Sequence, residues 1–325
     1  MKILVTGGTG FLGSRLFPKL VQAGHEVFAL TRSPGSHRAL RASGALPVDA
    51  DLDSATPLAL PTTDAVVHAA ALFRFSVPRE PCFPANVDGT VALLGAAEKA
   101  GARCFIFMSA AGVVMDESGH PTNGIDESAR TFPNHFSAYL ASKAQAEALV
   151  LAADKPVLRM IALRLPAIWG PQDPFSRELS RAIKSGQFAF IDRGEYAFST
   201  CHVDNVIEAI GLALESGVGG RALFIADREQ TTFREFIASL ATLQGLSVDK
   251  LHSLPYWLVA VIGRVMDSGS RLMRRKGDPP ISRSMMRMIG REFSINDNAA
   301  RRVLGYVGRT SRADGLRGYE GCEAS

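Results

Sequence analysis

The chain is poor in cysteine. Its 325 residues contain four, Cys82, Cys104, Cys201 and Cys322, and no two of them form a C-x-x-C pair. Because structural zinc sites use closely spaced cysteine and histidine ligands, we predict no metal site. So few thiols in so long a chain are typical of a reducing compartment, and the sequence therefore predicts a cytoplasmic protein.

A long apolar run is also missing. The longest, Leu254 to Gly263, is about half of the roughly 20 residues that cross a bilayer. The first residues, MKILVTGG, lead directly into a strand pattern, so we expect no signal peptide. The net charge of +4 is small. We interpret the late arginines as a solvated helical surface and expect no nucleic-acid partner.

Alternating strand and helix patterns fill the first half of the chain. Short apolar runs such as KILVT and AVVHAAA are separated by amphipathic helical stretches. This alternation predicts an α/β fold with a doubly wound parallel sheet over residues 1–165. We expect the chain to return to this domain at about 202–228, and residues 166–325 to form mainly a smaller, mostly helical lobe.

A glycine-rich turn follows the first strand pattern. TGGTGFLG places Gly7, Gly10 and Gly13 between strand and helix, with Phe11 and Leu12 near the helix start. Glycines here permit a tight turn and let the backbone approach a pyrophosphate, which the free N–H groups of the helix N-terminus can bind. The pattern indicates a Rossmann domain that binds a dinucleotide.

The end of the second strand bears on which dinucleotide binds. NAD-binding domains carry an acidic residue there for the ribose 2′-hydroxyl, whereas this chain has Thr31 and Arg32. An arginine suits a 2′-phosphate, so we predict NADP, with NAD as the alternative. Asp51 and Leu52, after the third strand, are candidate contacts for the adenine ring.

Tyr139 and Lys143 lie four residues apart in SAYLASK, within a helical pattern, so they share one helical face. A phenol beside an ammonium is a candidate general acid/base. Its pKa of about 10 would have to fall by about 3 units to titrate near neutral pH. The adjacent ammonium and a positive nicotinamide ring can supply that effect.

These motifs occur in a familiar order. The chain resembles the extended short-chain dehydrogenase/reductase superfamily, of the NAD-dependent epimerase/dehydratase type. The tail is similar, more loosely, to the 3β-hydroxysteroid dehydrogenase-like and dihydroflavonol-reductase-like group. The resemblance is carried over roughly residues 1–210 by TGGTGFLG, HAAA (His68 to Ala71), NVDGT (Asn86 to Thr90), FMSAAG, YLASK, RLPAIWGP and HVDNV.

The resemblance implies roles for individual residues. Tyr139 would be the general acid/base, Lys143 would bind the nicotinamide ribose, and a serine would donate to the substrate oxygen. Ala69 and Ala70 would lie against the cofactor, and Pro166 and Ile168 would contact the nicotinamide carboxamide through their backbone. We interpret His68 as a structural histidine near the cofactor.

The serine position departs from the family pattern. Extended members commonly have two adjacent serines with the second catalytic, whereas this chain has Ser109 followed by Ala110. If strand length sets the alignment, Ala110 takes the catalytic position; if SAAG sets it, Ser109 does. The choice matters because a shift of one residue reverses the face of a strand side chain. We predict Ser109, with Ser137 as a fallback.

The substrate is a small molecule, and the aromatic residues of the loops and tail favour an apolar one. We predict an oxidoreductase for a secondary alcohol or ketone of a steroid-, terpenoid- or 3-keto-like compound. The alternatives are a nucleotide-sugar epimerase or dehydratase with the same residues, and a cofactor-binding sensor that does not turn over. The resemblance also implies a homodimer formed by helices at 86–100 and 137–152, and leaves peripheral membrane contact open.

Overall fold

The computed structural model describes residues 1–54, 57–272 and 281–320. Cys322 therefore lies outside the described residues. The strands in this part of the chain are β1 Lys2–Thr6, β2 Glu26–Thr31, β3 Leu46–Asp49, β4 Ala65–His68, β5 Cys104–Ala110, β6 Thr122–Ile125, β7 Arg159–Leu165, β8 Ala167–Trp169, β9 Phe190–Ile191, β10 Thr200–His202, β11 Arg221–Phe224, β12 Ser253–Leu254 and β13 Phe293–Ile295.

Helices connect and cover these strands. They are α1 Phe11–Gln22, α2 His37–Ala42, α3 Arg79–Phe83, α4 Gly89–Lys99, α5 Ala138–Ala152, α6 Pro174–Lys184, α7 Val203–Glu215, α8 Phe233–Thr242, α9 Tyr256–Leu272, α10 Arg283–Ile289, α11 Asn298–Leu304 and α12 Arg312–Glu320. A π-helical turn, Pro84–Asp88, joins α3 to α4.

Seven parallel strands form the central sheet, in the order β3-β2-β1-β4-β5-β7-β11. The side chains of the inner strands β1, β4, β5 and β7 are almost wholly buried because helices cover both faces, whereas the edge strand β3 is largely exposed. Helices α1, α7 and α11 pack on one face, and α4 and α5 pack on the other. The doubly wound parallel fold expected from the sequence is confirmed.

The later part of the chain contributes to both the sheet and a separate cluster. Strand β11 extends the sheet beside β7, and α7 packs on it. Trp169, Phe190, Phe198, Phe233 and Phe236 form an aromatic core of their own. The division into residues 1–165 and 166–325 stays a prediction.

One helix of this lobe has an unusual surface. Trp257, Val261 and Val265 of α9 are 67%, 50% and 66% exposed and follow one another by four residues, so they form a stripe along the helix. Within the described residues, no helix combines the length and the apolar character needed to cross a membrane.

Candidate active site

The glycine-rich turn between β1 and α1 is packed too tightly for side chains. Gly7 has a φ of +76°, and a Cβ on it would lie 2.8 Å from the carbonyl carbon of Ala69 and from the amide nitrogen of Ala70. A Cβ on Gly13 would lie 2.5 Å from Cα of Gly8. The turn is therefore bare backbone held against the end of β4.

This bare turn fits a pyrophosphate. Phe11 and Leu12 begin α1, and the first N–H groups of a helix have no acceptor within the helix. The partial positive charge of the N-terminus favours an anion there. The cradle that the glycines leave, together with these N–H donors, suits the dinucleotide expected from the sequence.

Arg32 and Asp51 lie at the same edge of the sheet, after β2 and β3. The Arg32 guanidinium is 3.7 Å from the Asp53 carboxylate, and its side chain is 73% exposed. The Asp51 carboxylate accepts a hydrogen bond of 3.1 Å from the Asp53 amide. Leu52 is half-buried, and its Cβ would be 3.1 Å from a Cβ on Gly89. Asp53, which the sequence reasoning did not single out, is thus the present partner of Arg32.

His68 joins three elements beneath the turn. Its Nδ1 is hydrogen-bonded to Thr6 Oγ1 at 2.7 Å, and its Nε2 to Thr90 Oγ1 at 2.8 Å. The Ala70 amide donates to the same Thr6 oxygen at 3.0 Å. Burial, followed by the charge of Lys143, lowers the pKa of His68 to about 3. A neutral imidazole that links β1, β4 and α4 is consistent with the structural role expected for it.

Asn86 connects the loop after β4 with helix α5. Its Oδ1 accepts from the Leu72 amide at 2.7 Å, and its Nδ2 donates to the Leu72 carbonyl at 3.1 Å. The same Nδ2 lies 3.0 Å from Ser142 Oγ, which donates to the Tyr139 carbonyl at 2.8 Å. A short chain of hydrogen bonds therefore runs from the loop beside the glycine turn to the helix of Tyr139.

Tyr139 and Lys143 lie one turn apart on α5. The ring of Tyr139 meets that of Phe73 edge-on, with 4.7 Å between centroids. The Lys143 side chain is buried, and its ammonium lies 4.0 Å from the centre of the Phe107 ring. Both predicted residues are thus brought to one face of one helix, next to the end of β5.

The pKa shifts at this face differ from the expectation for Tyr139. Burial, with a smaller effect of the Cys82 thiol, raises the pKa of the Tyr139 phenol well above its ordinary value. Burial also lowers the pKa of Lys143 to about 7, against smaller opposing effects of Glu147 and of the Cys82 thiol. Burial disfavours both charged forms, so the phenol is protonated at neutral pH and the lysine is close to its titration midpoint.

Ser109 does not face open space. Its hydroxyl donates a hydrogen bond of 2.6 Å to Glu147 Oε2. Ala110 belongs to the apolar cluster against which Tyr139 packs. The Ser137 hydroxyl, 1% exposed, has no partner among the described residues. Ala110, which shares this cluster with Tyr139, carries no hydroxyl, and the role of Ser109 stays a prediction.

Two charged residues of this region were missed by the sequence reasoning. Arg164 of β7 donates to both oxygens of Glu147, with Nη2 to Oε1 at 2.6 Å and Nε to each oxygen at 3.1 Å. Both side chains are at most 5% exposed. The spacing of Lys143 and Glu147, four residues on a helix, was the signal available in the sequence.

The segment after β7 leaves the central sheet. Pro166 follows the last residue of β7, and Ile168 lies in β8, which pairs with β10 opposite Cys201. Ile168 is half-buried against the sheet core. The structure therefore places both residues at the carboxyl edge of the sheet, and their contact with a nicotinamide stays a prediction.

A metal site was not expected, and among the residues that the structure describes no group of three or more His, Cys, Asp or Glu side chains is arranged to hold a metal ion. The charged residues near Tyr139 are engaged with one another instead, as Glu147 and Arg164 are.

The chain matches one family model and is similar to curated proteins over nearly its whole length. The model of the 3-beta hydroxysteroid dehydrogenase/isomerase family matches residues 4–256. A Stigmatella aurantiaca protein named 4-hydroxy-2-methyl-3-oxo-4-farnesyl-3,4-dihydroquinoline-1-oxide ketoreductase is 35% identical, over 97% of this chain and 95% of its own. A Dictyostelium discoideum sterol-4-alpha-carboxylate 3-dehydrogenase, decarboxylating, is 31% identical, over 97% and 98%.

One of the similar solved structures contains a bound dinucleotide and a bound nucleotide sugar. MoeE5 in complex with UDP-glucose and NAD is similar with a TM-score of 0.72 and 26% identity, and the match covers 100% of both chains. The extended short-chain dehydrogenase/reductase resemblance, including its 3β-hydroxysteroid dehydrogenase-like group, is confirmed by these matches.

The packing of the glycine turn leads to a stability prediction. We expect Gly13→Ala to lower the free energy of unfolding by about 1–3 kcal/mol, because the atoms nearest the added methyl are backbone atoms of Gly7 and Gly8. Dinucleotide binding should fall with it. Thermal unfolding and fluorescence titration with NADPH measure the two effects.

Gly211→Ala is the matched control. It lies inside α7, where a Cβ would meet nothing within 4 Å, so we expect a gain of up to about 1 kcal/mol. Equal effects of the two substitutions would contradict the close packing described for the turn.

Proposed function

The chain belongs to the 3-beta hydroxysteroid dehydrogenase/isomerase family of nicotinamide-dependent oxidoreductases, and from this membership we propose the following reaction. The enzyme interconverts a secondary alcohol and a ketone of a largely apolar, steroid-, terpenoid- or 3-keto-like substrate, with Tyr139 as general acid/base. One observation carries the proposal: hydrogen bonds through Asn86 connect the loop beside the glycine turn with the helix that presents Tyr139 and Lys143.

The residues of the glycine turn would hold the cofactor. Gly7, Gly10, Phe11, Leu12 and Gly13 offer bare backbone and helix N–H groups to the pyrophosphate. Ala69 and Ala70 lie against Gly7, and Asp51 and Leu52 follow β3 at the adenosine end. When bound, the nicotinamide exchanges a hydride with the carbon that carries the substrate oxygen.

Tyr139 would give the substrate oxygen its proton. Because burial keeps the phenol protonated at neutral pH, the residue is ready to donate in the direction of ketone reduction. Lys143 would hold the nicotinamide ribose and stabilise the tyrosinate that forms on donation. Direct donation by Ser109 to the substrate oxygen stays a prediction, since its hydroxyl is bonded to Glu147.

Aromatic side chains support an apolar substrate. Phe73 is 49% exposed and lies against both Tyr139 and Phe75, with ring centroids 4.7 and 5.3 Å apart. Phe73 thus offers exposed apolar surface beside the Tyr139 ring, with the half-buried Phe75 packed against it. The names of the two curated relatives contain a farnesyl group and a sterol, and both of these groups are largely apolar.

A nucleotide-sugar epimerase or dehydratase is the second candidate. The likeness to MoeE5, solved with UDP-glucose and NAD, favours it. Such an enzyme would keep its cofactor and produce no net redox change. The sensor without turnover is not proposed further, because the curated relatives are named as enzymes.

Replacing the phenol tests the reaction. We expect the wild type to consume NADPH with a 3-ketosteroid or a terpenoid ketone, and Tyr139→Phe to lower kcat by about 100-fold or more, because the proton donor is lost. Absorbance at the nicotinamide band measures both. UDP-glucose conversion without net NADPH consumption would select the second candidate.

Tyr306→Phe serves as the control for loss of a hydroxyl. The Tyr306 hydroxyl donates to the Ala226 carbonyl at 2.7 Å, so its removal should cost stability and leave turnover. Ketone reduction by Tyr139→Phe at the wild-type rate would contradict the proposed role of Tyr139.

We propose NADP as the preferred dinucleotide because Arg32 follows β2 with an exposed guanidinium. Arg32→Ala should weaken NADPH binding by about 10- to 100-fold and leave NADH binding nearly unchanged, since only NADP has the 2′-phosphate. Titrations with both dinucleotides measure this. Arg103→Ala, which removes another exposed arginine, is the control. A wild type that binds NADH more tightly would contradict the proposal.

The surface supports the proposed homodimer. Val91 of α4 and Leu149 of α5 are 48% and 44% exposed, on the two helices that a four-helix bundle would use. Leu149→Asp should convert the dimer to a monomer in light scattering, whereas Leu46→Asp on the edge strand should not. A monomeric wild type would contradict the dimer.

Cytoplasmic location, with peripheral membrane contact, also remains proposed. The exposed stripe of Trp257, Val261 and Val265 on α9 supports the membrane contact. Cell fractionation tests both: the protein should appear in the cytoplasmic fraction, with a membrane-bound share that Trp257→Ser reduces. Equal shares for both proteins would contradict the contact.

A further inference from the structure

A buried carboxylate lies on the same helical face as Tyr139 and Lys143. Glu147 is 2% exposed and stands one turn after Lys143 on α5, so that residues 139, 143 and 147 form one row. A charge so deep in the protein is costly unless it is paired and hydrogen-bonded. The hydrogen-bond partners of the Glu147 carboxylate therefore indicate what the residue does.

Two strands of the central sheet supply these contacts. Arg164 of β7 binds both carboxylate oxygens, and Ser109 of β5 donates to Oε2 at 2.6 Å. Ser109 and Arg164 are direct neighbours in the pairing of β5 with β7. The carboxylate is thus fixed to the strand end beside which Tyr139 packs.

We propose that Glu147, fixed by Arg164 and Ser109, is a positioning residue that holds the Lys143 ammonium in its charged form beneath Tyr139. The inference rests on the proposed function, in which Lys143 stabilises the tyrosinate. In this proposal Ser109 acts by holding Glu147 in place. The sequence predicted a different role, donation of a hydrogen bond to the substrate oxygen.

The surroundings of Lys143 explain why such a residue is needed. Its ammonium lies 4.0 Å from the centre of the Phe107 ring, and its charge interacts with Cys82 of α3 and His68 of β4. His68 is neutral, and the Cys82 thiol, whose pKa burial raises, is neutral too. Of the two described groups that oppose the effect of burial on Lys143, Glu147 has the larger effect and Cys82 the smaller.

The positive charge of Arg164 compensates the negative charge of Glu147. The Arg164 guanidinium pairs with the Glu147 carboxylate in the interior, so the two buried charges compensate each other. Replacing Glu147 alone leaves the buried Arg164 charge without its partner. Replacing both partners removes the anion and that charge together.

The test measures the titration of Lys143 directly. Protein labelled with [ε-13C]lysine is titrated without cofactor, and the Lys143 signal is assigned by its loss in Lys143→Met. In the wild type we expect a midpoint near 7. In Glu147→Gln we expect it lower by about one pH unit or more. If the single variant does not fold, the double variant Glu147→Gln/Arg164→Met removes both charges of the pair and keeps the interior neutral. In the double variant we expect the Lys143 midpoint to shift less than in Glu147→Gln.

The pH dependence of ketone reduction should follow the same order. The decrease of kcat/KM at rising pH should move to lower pH in Glu147→Gln, and Glu178→Gln, an exposed glutamate on α6, should leave it in place. Lys143 midpoints within 0.2 units of the wild type in both folded Glu147 variants would overturn the proposal. This result is separable from failure of the proposed function, which would show as a wild type that does not reduce ketones.

Ser109→Ala distinguishes the two roles of the serine. If it acts through Glu147, its effect on kcat should be below about tenfold and should largely disappear in the Glu147→Gln background. A loss of about 100-fold or more that persists in that background, with no change in the Lys143 midpoint, would assign Ser109 to the substrate oxygen and overturn its part in the proposal.

Discussion

The buried ion pair of Glu147 and Arg164 is the constraint on which the geometry of the proposed site depends. Both side chains are at most 5% exposed. Removing one partner of such a pair typically costs about 3–5 kcal/mol, because the other charge is left buried and unpaired. The pair therefore fixes α5 against β7, and with Ser109 against β5. Tyr139 and Lys143 are carried on the helix that is fixed in this way.

The other half of the site depends on the absence of side chains. Gly7 and Gly13 let the turn after β1 pack directly on the loop after β4 and on itself. Asn86 then binds both backbone groups of Leu72 and reaches Ser142 on α5. A buried amide thus connects the loop beside the turn directly with the helix of Tyr139. A reaction that transfers a hydride and a proton to neighbouring atoms needs fixed spacing.

The sequence predicts single elements and their motifs well. It predicts poorly which side chains from different elements contact one another. The parallel sheet, the glycine turn and the Tyr139–Lys143 pair follow from periodicity and spacing along one element. Two ion pairs join residues from different parts of the chain, Arg32 with Asp53 and Glu147 with Arg164. A pattern along one helix or strand cannot predict such pairs. The serine shows the limit most sharply. Ser109 and Ala110 are adjacent in sequence, but a strand directs them to opposite faces, and only packing decides which face meets Tyr139.

Burial places the two proposed catalytic groups in complementary states. It disfavours charge on both, so the phenol of Tyr139 holds its proton while Lys143, with a pKa lowered to about 7, gives its proton up readily. Proton donation to a ketone uses the protonated phenol, and the tyrosinate that results needs the lysine charged. A site of this kind requires an anion that favours the charged lysine without contacting the substrate. In the proposed mechanism Glu147 meets that requirement, because it is buried one turn after Lys143 and its carboxylate is bonded to Arg164 and Ser109.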